Sequence, residues 1–406
     1  MRAPILADLL RPGDRVVIGQ ATAEPEGLVA DLFALAPRLG ALEVFCGLSF
    51  NPAWAGEVPP ALRVSGYCGL GTLRGLVASG RAHVMPCSLS QLSALLAARR
   101  LPVDAVLLQV APADADGYHS LGAAVDYTWD ATRVARRVIV EVNACVPRTR
   151  CGLKLHRDEV VVARTGATPL REAPQETPTA AQHQVAREVA RLVPDGATIQ
   201  LGIGSLAAAV AHALSDRRGL RVRAGTVGDW LVDLVERGAI DAGDPDACLA
   251  SLACGGRRLY GALSRDGVLG FAHPSQLVQP VPGSPFMAIN SAIEVDLHGQ
   301  VNAEYLGGRL VGAVGGQTDY FRAARQSAGG LAILALPSTS GPAAASRIVA
   351  RLAGPCVTSA QSDVDVIVTE HGAADIRATT LKERSVLITD IAHPDARAAL
   401  RAAAMP

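Results

Sequence analysis

The chain has 406 residues, of which 49% are hydrophobic, enough to fill the cores of two ordinary domains. Charged residues make up 19% and the formal net charge is zero, so no electrostatic argument favours nucleic acid or an anionic membrane surface as a partner. The first ten residues carry one arginine and no long apolar run, which argues against a signal peptide, and the apolar stretches are too short to span a membrane. We therefore expect a cytoplasmic protein.

The cysteines give no sign of a metal site. There are eight, none of them in a CxxC pair, and no Cys/His cluster has the spacing of zinc ligands. We expect them to be small buried apolar residues in a reducing compartment, and we expect no metal.

A weak internal repeat predicts two domains of the same class. In each half a turn leads into an apolar run and a glycine, which is Gly19 in the first half and Gly202 in the second. A helical segment and a second apolar run ending in glycine follow, at Glu26–Leu35 and Leu42–Gly47, and at Leu206–Leu214 and Leu220–Gly225. This order predicts two tandem open α/β domains, residues 1–165 and 180–406, joined by a linker at 166–179.

Further elements follow from short apolar runs. Strands buried on both faces are predicted at Ala105–Val110, Val138–Val142, Leu331–Leu336 and Val364–Val368. Helices are predicted at Ser346–Leu352 and Asp395–Ala404.

Two glycine loops are candidates for binding a ligand through the backbone. Gly202-Ile203-Gly204-Ser205 stands between a strand and a helix, where exposed N–H groups can bind an anion or an oxyanion. Gly315-Gly316-Gln317 follows an apolar run and allows a ligand to approach the backbone closely. Either loop can instead be a tight turn that needs glycine for its conformation.

Two polar groups are candidates for chemistry. Alternating apolar residues predict a hairpin turning at His298-Gly299, whose second strand carries Asn302 and Glu304 on one face. Glu370 and His371 end another strand and are either an acid/base pair or structural residues, because neighbours on a strand point to opposite faces.

Together these motifs resemble the acetyl-CoA hydrolase/transferase family, nearest to its 4-hydroxybutyrate CoA-transferase branch. The resemblance rests on an ordered set of short pieces along nearly the whole chain. They include Pro12-Gly13-Asp14, Ala23-Glu24-Pro25, Glu141-Val142-Asn143, Leu201–Ser205, Asp233–Glu236, Ile289-Asn290-Ser291, Gly299–Glu304, Gly315-Gly316-Gln317 and Ile391–Pro394.

The resemblance implies two open α/β domains with the active site between them, coenzyme A bound as an acyl-CoA substrate, and a homo-oligomer such as a homodimer. It also implies a double displacement, in which a glutamate attacks the thioester and then carries CoA as a glutamyl thioester. Backbone N–H groups of the glycine loops stabilise the oxyanion.

The sequence departs from this family at the nucleophile. The family pattern is an apolar residue, His, Ser or Thr, the glutamate, three residues, then Asp-Gly. Here the segment runs without a gap from Val222 to Trp230, with Asp229 in place, so Gly225 occupies the glutamate position. Arg223 replaces the histidine, and Trp230 replaces the glycine after the aspartate.

The site expected from the resemblance has three groups of residues. We assign catalysis to Gly225, Gly315, Gly316, Gln317 and Glu304, acyl-CoA binding to Gly202, Gly204, Ser205, Asn302, Gly315 and Gly316, and substrate contact to Arg223 and Trp230. Arg223 is either a partner for a substrate carboxylate or an ordinary surface arginine.

Three hypotheses about function remain open. The first is an enzyme that acts on an acyl thioester, on CoA or on a carrier protein, without a covalent glutamate, by transfer, hydrolysis or decarboxylation. The second is a true CoA-transferase whose carboxylate has moved, with Glu304 or Asp229 as the candidates. The third is a non-catalytic protein that binds acyl-CoA.

Overall fold

The computed structural model describes residues 5–404 except 266 and 342–343, and describes residue 265 by its backbone alone. Contacts divide the chain into two compact units. Unit 1 comprises residues 1–174 and 248–277, and unit 2 comprises residues 175–247 and 278–406. Among the described residues, no helix combines the length and the apolarity needed to cross a membrane.

Helices and strands alternate along much of the chain. The helices are α1 (Leu6–Leu9), α2 (Glu26–Leu39), α3 (Arg74–Ala78), α4 (Leu89–Ala97), α5 (Tyr127–Val134), α6 (Ala180–Leu192), α7 (Ser205–Ala213), α8 (Trp230–Glu236), α9 (Arg257–Arg265), α10 (Pro274–Leu277), α11 (Gln317–Gln326), α12 (Leu381–Asp390) and α13 (Pro394–Ala403). The strands up to residue 271 are β1 (Arg15–Ile18), β2 (Leu42–Phe45), β3 (Leu62–Gly66), β4 (Ala82–Val84), β5 (Ala105–Val110), β6 (Tyr118–Ser120), β7 (Arg137–Asn143), β8 (Arg150–Cys151), β9 (Lys154–His156), β10 (Val161–Gly166), β11 (Thr198–Gln200), β12 (Arg221–Val227), β13 (Cys248–Ala253) and β14 (Leu269–Phe271). The remaining strands are β15 (Phe286–Asn290), β16 (Glu294–Asp296), β17 (Val301–Asn302), β18 (Tyr305–Leu306), β19 (Arg309–Leu310), β20 (Leu331–Ala335), β21 (Thr339–Ser340), β22 (Ala345–Ser346), β23 (Ile348–Val349), β24 (Val366–Thr369) and β25 (Gly372–Asp375).

Unit 1 is built on a parallel sheet with strand order β10-β7-β5-β1-β2-β3-β4. Its inner strand β5 is buried at all six positions, as expected of a strand covered on both faces. Helix α2 contributes Leu28, Val29 and Leu32 to a core that also contains Val16 and Ile18 of β1. Apolar burial on this face holds the unit together.

Unit 2 contains strands in the order β25-β24-β20-β15-β11-β12. Neighbouring strands are parallel except β25, which runs antiparallel to β24. The carboxyl ends of the five parallel strands therefore meet at one edge of the sheet, which we call the carboxyl edge, and their starts form the opposite amino edge. Open α/β sheets bind ligands at the carboxyl edge.

The expected fold class, α/β with parallel sheets, is confirmed. The strands predicted at Ala105–Val110 and Leu331–Leu336 match β5 and β20 within one residue. The helix predicted at Ser346–Leu352 is wrong, because this segment contains the end of β22 and all of β23. Strand β23 pairs with β16, and the Arg347 guanidinium donates to the carbonyl oxygens of Ala292 and Ile293. These contacts override the local sequence pattern.

The division into units differs in one respect from the expected domains. The change at residues 174–175 lies inside the expected linker, but contacts assign 248–277 to unit 1. Strand β13 is tied there by main-chain bonds from Val125 N to Ser251 O and from Ala253 N to Ala123 O. Nothing in the local sequence pattern of residues 248–277 indicates that they belong with unit 1. The domain boundaries 1–165 and 180–406 stay a prediction.

A buried carboxyl group organises one loop of unit 1. Glu24 accepts hydrogen bonds from the Ser49 hydroxyl, the Asn51 amide and the Trp54 indole. Burial raises the pKa of Glu24 to about 7, and the three hydrogen bonds act in the opposite direction without cancelling the effect. The folded protein therefore favours the protonated form of Glu24 more than water does.

The shift predicts a pH-dependent stability that Glu24→Gln removes. Because the folded pKa is raised, the contribution of protonated Glu24 is fully present below about pH 4.5 and is lost as the pH rises through about 7. In urea unfolding across that range, the wild type should lose on the order of 3 kcal/mol relative to Glu24→Gln, at 1.36 kcal/mol per pKa unit. Glu43→Gln, which removes an exposed ion pair with Arg15 and keeps Glu24, is the control and should follow the wild-type pH profile. Parallel pH profiles for wild type and Glu24→Gln would contradict the assignment.

Candidate functional site at the carboxyl edge of unit 2

The first glycine loop follows β11 at the carboxyl edge. Gly204 has φ of +105°, a conformation that L side chains rarely adopt, and it directly precedes helix α7. A Cβ atom added at Gly202 or Gly204 would meet no atom within 4 Å, so this stretch of backbone borders open space. The Ser205 hydroxyl accepts a hydrogen bond from the Gln182 amide at 3.0 Å, which fixes the start of the helix.

Gly225 lies in β12, the strand beside β11. The two strands pair in parallel with Thr198 opposite Arg221 and Ile199 opposite Val222. Gly225 follows Val222 by three residues within β12, and Gly202 follows Ile199 by three residues, past the end of β11 at Gln200. Gly225 is buried, so the glycine stands inside the sheet and not on the outer surface.

Trp230 ties the next helix to the glycine loop. The indole is buried, and its Nε1–H donates to the carbonyl oxygen of Gly202 at 3.1 Å. Trp230 therefore holds the loop from the side of α8. Its assignment as a substrate contact stays a prediction.

Arg223 is not the surface arginine that one interpretation expected, because its side chain is buried, with 8% of the residue exposed. Its Nη1 donates to the carbonyl oxygens of Val222 and Asp246, both at 2.9 Å. These bonds fix β12 to the segment before residue 248. The proposed contact with a substrate carboxylate stays a prediction.

The second glycine loop begins helix α11. Gly315 has φ of +56°, and a Cβ atom there would meet no atom within 4 Å. Gln317 is the first helical residue and is buried; its amide nitrogen donates to Ser291 O at 2.9 Å, and its amide oxygen accepts from the Ser359 hydroxyl at 3.1 Å. Both ends of the amide are thus used to position the loop.

The expected hairpin is present, but its second strand ends sooner than predicted. Strands β16 and β17 pair antiparallel, and β17 stops at Asn302. The statement that Asn302 and Glu304 share one strand face is therefore wrong. The Asn302 side-chain oxygen accepts from the amides of Glu304 and Tyr305, which turns the chain directly after the strand.

Asn302 is 0% exposed, and its amide nitrogen donates to Glu294 Oε1 and Tyr305 O. Because both the nitrogen and the oxygen of the side-chain amide are bonded within the protein, the geometry gives Asn302 a structural role. Acyl-CoA binding by Asn302 stays a prediction.

Glu304 is buried and accepts a hydrogen bond from the Thr358 hydroxyl at 2.8 Å. Burial first, and then the Glu304 charge, raise the pKa of the nearby Cys356 thiol to about 11. Cys356 is therefore a protonated thiol at neutral pH and a poor nucleophile.

The structure brings the second loop and Glu304 together through residues 358–359. Ser359 bonds Gln317, and its neighbour Thr358 bonds Glu304. Sequence reasoning missed both, because their segment has no periodicity and lies more than 40 residues from its partners.

The amides of Gln200 and Asn290 exchange hydrogen bonds of 3.3 and 2.7 Å, joining the ends of β11 and β15. Gln200, a polar residue at the end of an apolar strand, is the sequence feature that could have indicated this contact.

Glu370 and His371 lie past the end of β24, so the argument that strand neighbours face apart does not apply to them. The Glu370 carboxylate accepts from the main-chain nitrogen and the hydroxyl of Ser338, each at 2.7 Å. His371 Nε2 is 3.7 Å from the Glu370 carboxylate. Ser338, which follows β20, therefore fixes the position of this carboxylate.

Within residues 5–404, less the three positions that are not described, no group of three or more His, Cys, Asp or Glu side chains is placed to hold a metal ion.

The chain belongs to the acetyl-CoA hydrolase/transferase family. The N-terminal domain model of that family matches residues 1–161, and the C-terminal domain model matches residues 255–404. The segment that contains Gly225 lies between the two matched regions.

Curated proteins and solved structures agree with this assignment. The chain is 34% identical over 338 residues to 4-hydroxybutyrate coenzyme A transferase of Clostridium kluyveri, covering 81% of this chain and 79% of that protein. The crystal structure of RipA from Yersinia pestis matches with a TM-score of 0.91 and 30% identity, over 97% of this chain and 94% of that one. A 4-hydroxybutyrate CoA-transferase from Porphyromonas gingivalis matches with a TM-score of 0.80 and 28% identity, over 98% and 94%.

The bonding of Asn302 predicts that Asn302→Leu destabilises unit 2. The substitution leaves the buried amides of Glu304 and Tyr305 without their acceptor, at a cost on the order of 3 kcal/mol. Urea unfolding measures the loss, and Gln300→Ala in the same hairpin is the control, with a change below about 1 kcal/mol. An Asn302→Leu protein as stable as the control variant would show that the turn does not depend on this side chain.

Proposed function

We propose that this protein acts on an acyl thioester of coenzyme A at the carboxyl edge of unit 2, without a covalent glutamate. The observation that carries the proposal is the position of Gly225, which is buried in β12, the strand that pairs with β11, and β11 leads into the open loop at Gly202. In this proposal Gly225 takes the place of the family's nucleophilic glutamate. A glycine has no side chain to acylate, so the double displacement cannot pass through it.

In this proposal the missing side chain leaves room for a direct reaction. Replacing glutamate by glycine removes a volume on the order of three water molecules, at roughly 30 Å³ each. A small nucleophile in that space attacks the thioester carbonyl carbon and forms a tetrahedral oxyanion. The C–S bond then breaks, the acyl group stays on the nucleophile, and CoA leaves and takes up the proton. With water as the nucleophile, the products are a carboxylic acid and free CoA.

The glycine loops supply what such a reaction needs from the protein. The backbone at Gly202, Gly204 and Gly315 borders open space, where main-chain N–H groups can donate to an oxyanion. Positioning and oxyanion stabilisation can retain substantial rate when a nucleophile is lost. Decarboxylation of a malonyl-like group has less support, because the described bonds of Arg223 go to main-chain carbonyls.

Two other functions would each give a distinct experimental outcome. A relocated carboxylate is supported at Glu304 by its burial and by the hydroxyl that orients it. Asp229 accepts from the Gln175 amide at 3.0 Å and has no comparable burial. A non-catalytic protein would bind acyl-CoA and never release CoA from it.

The main prediction is a gain of CoA transfer in Gly225→Glu. The new carboxylate would stand where the family has its nucleophile, so the variant should move CoA from an acyl-CoA to acetate, while the wild type should not. Gly225→Gln is the matched control, since it fills the same volume with an amide that does not attack a thioester. Liquid chromatography of acyl-CoA products measures the transfer.

Equal activity in the Glu and Gln variants would contradict the placement of Gly225. If both variants and the wild type bind acyl-CoA and none turns it over, the non-catalytic function is correct. If calorimetry detects no binding of CoA or several acyl-CoAs at millimolar concentration, the thioester is on a carrier protein.

A second prediction concerns Glu304→Gln. Under direct attack the variant should retain acyl-CoA turnover within about tenfold, because the amide oxygen still accepts from Thr358 and no bond to Glu304 forms. A loss of several orders of magnitude, with unchanged acyl-CoA binding, would support Glu304 as a relocated nucleophile. Thr358→Val, which removes the orienting hydroxyl and keeps the carboxylate, separates positioning from covalent catalysis.

A further inference from the structure

A cavity of about 500 Å³ opens at the amino edge of the unit 2 sheet. Met287 at the start of β15 and Leu331 at the start of β20 form its floor, and Leu192 and Val193 at the end of α6 form a wall. Because the strands are parallel, this cavity lies at the opposite edge from the glycine loops. It is therefore distinct from the site of the proposed function.

The cavity is lined by cations and by no acidic side chain. Arg191, Arg217 and Arg377 all border it. Arg191 and Arg377 have carboxylate partners outside the lining, Glu188 and Asp375. Glu188 and Asp375 thus largely balance the charges of Arg191 and Arg377. Arg217 is the remaining cation of the lining.

Arg217 has no ion pair among the residues that the structure describes. Its Nη2 donates to the carbonyl oxygen of Ala190 at 2.7 Å. Its Nε is shut off from solvent and has no hydrogen-bond partner within the described part of the chain. A buried donor without an acceptor is destabilising, and a guanidinium without an ionic partner beside apolar side chains is costly as well. An anion bound at the solvent-accessible part of the guanidinium would pair its charge, while the Nε–H, which is shut off from solvent, would stay without an acceptor.

We infer that the Arg217 cavity is a second ligand site, for a small organic anion that joins a carboxylate or phosphate to an apolar body. The oxyanion group pairs with the Nη groups of the Arg217 guanidinium, because Nε is shut off from solvent and Nη2 also donates to Ala190 O. The apolar body lies on Met287, Leu331 and Val193.

The test measures binding of three probes, namely benzoate, phenyl phosphate and inorganic phosphate, by calorimetry at constant ionic strength. Benzoate or phenyl phosphate should bind the wild type more tightly than inorganic phosphate does, because only they have an apolar body. The better of the two identifies the preferred oxyanion. Arg217→Met keeps the length of the side chain, removes the charge, and should weaken that binding at least about tenfold.

Arg401→Met is the matched control, since it removes an arginine of unit 2 that pairs with Asp390 and is remote in the chain from the cavity. It should leave probe binding unchanged. Arg191→Gln, at a largely exposed lining position, is the second variant and decides the matter if Arg217→Met fails to fold; it should weaken binding several-fold. Acyl-CoA turnover should not change in any of these variants, so failure here is separable from failure of the proposed function. The inference is overturned if no probe binds at millimolar concentration, or if binding is the same in the cavity variants and in Arg401→Met.

Discussion

Parallel pairing in unit 2 is the constraint on which the candidate site depends. Strands β11, β12, β15, β20 and β24 all run in one direction, so their carboxyl ends meet at a single edge. Segments far apart in sequence are brought to that edge, among them the Gly202 loop, Gly225 and Ser338. The polar groups there are held by hydrogen bonds between the ends of neighbouring strands, as between Gln200 and Asn290. A substitution at one strand end therefore leaves the hydrogen bonds between the other strand ends in place.

In the proposed assignment Gly225 takes the place of the family's glutamate, and these hydrogen bonds explain how the edge keeps its structure without that side chain. Gly225 makes no side-chain contribution to the edge, while the supporting bonds come from elsewhere. Trp230 holds the Gly202 loop, Arg223 fixes β12 to the segment at Asp246, and Gln317 is held by Ser291 and Ser359. The proposed direct reaction therefore differs from the family's double displacement by one chemical step and needs no change in the surrounding structure.

The sequence predicted those parts of the molecule that local patterns determine. Continuous apolar runs indicated β5 and β20, and the glycines at 202, 204 and 315 indicated loops whose backbone borders open space. Contacts between distant segments could not be predicted in this way. Thr358 and Ser359 carry no local signal, the end of β17 depends on the Asn302 side chain, and Ser346–Leu352 forms strands because β16 is available to pair with. Arg217 likewise appeared as one of many arginines until the cavity around it was known.

Mass spectrometry of the intact wild-type protein during turnover of a panel of acyl-CoAs tests the central claim most directly. The account predicts release of free CoA while the protein keeps its unmodified mass, including when hydroxylamine or borohydride is added to trap a thioester or an anhydride. A protein population heavier by the mass of CoA, or an adduct that maps to a carboxylate such as Glu304, would contradict the claim that the reaction proceeds without a covalent protein intermediate.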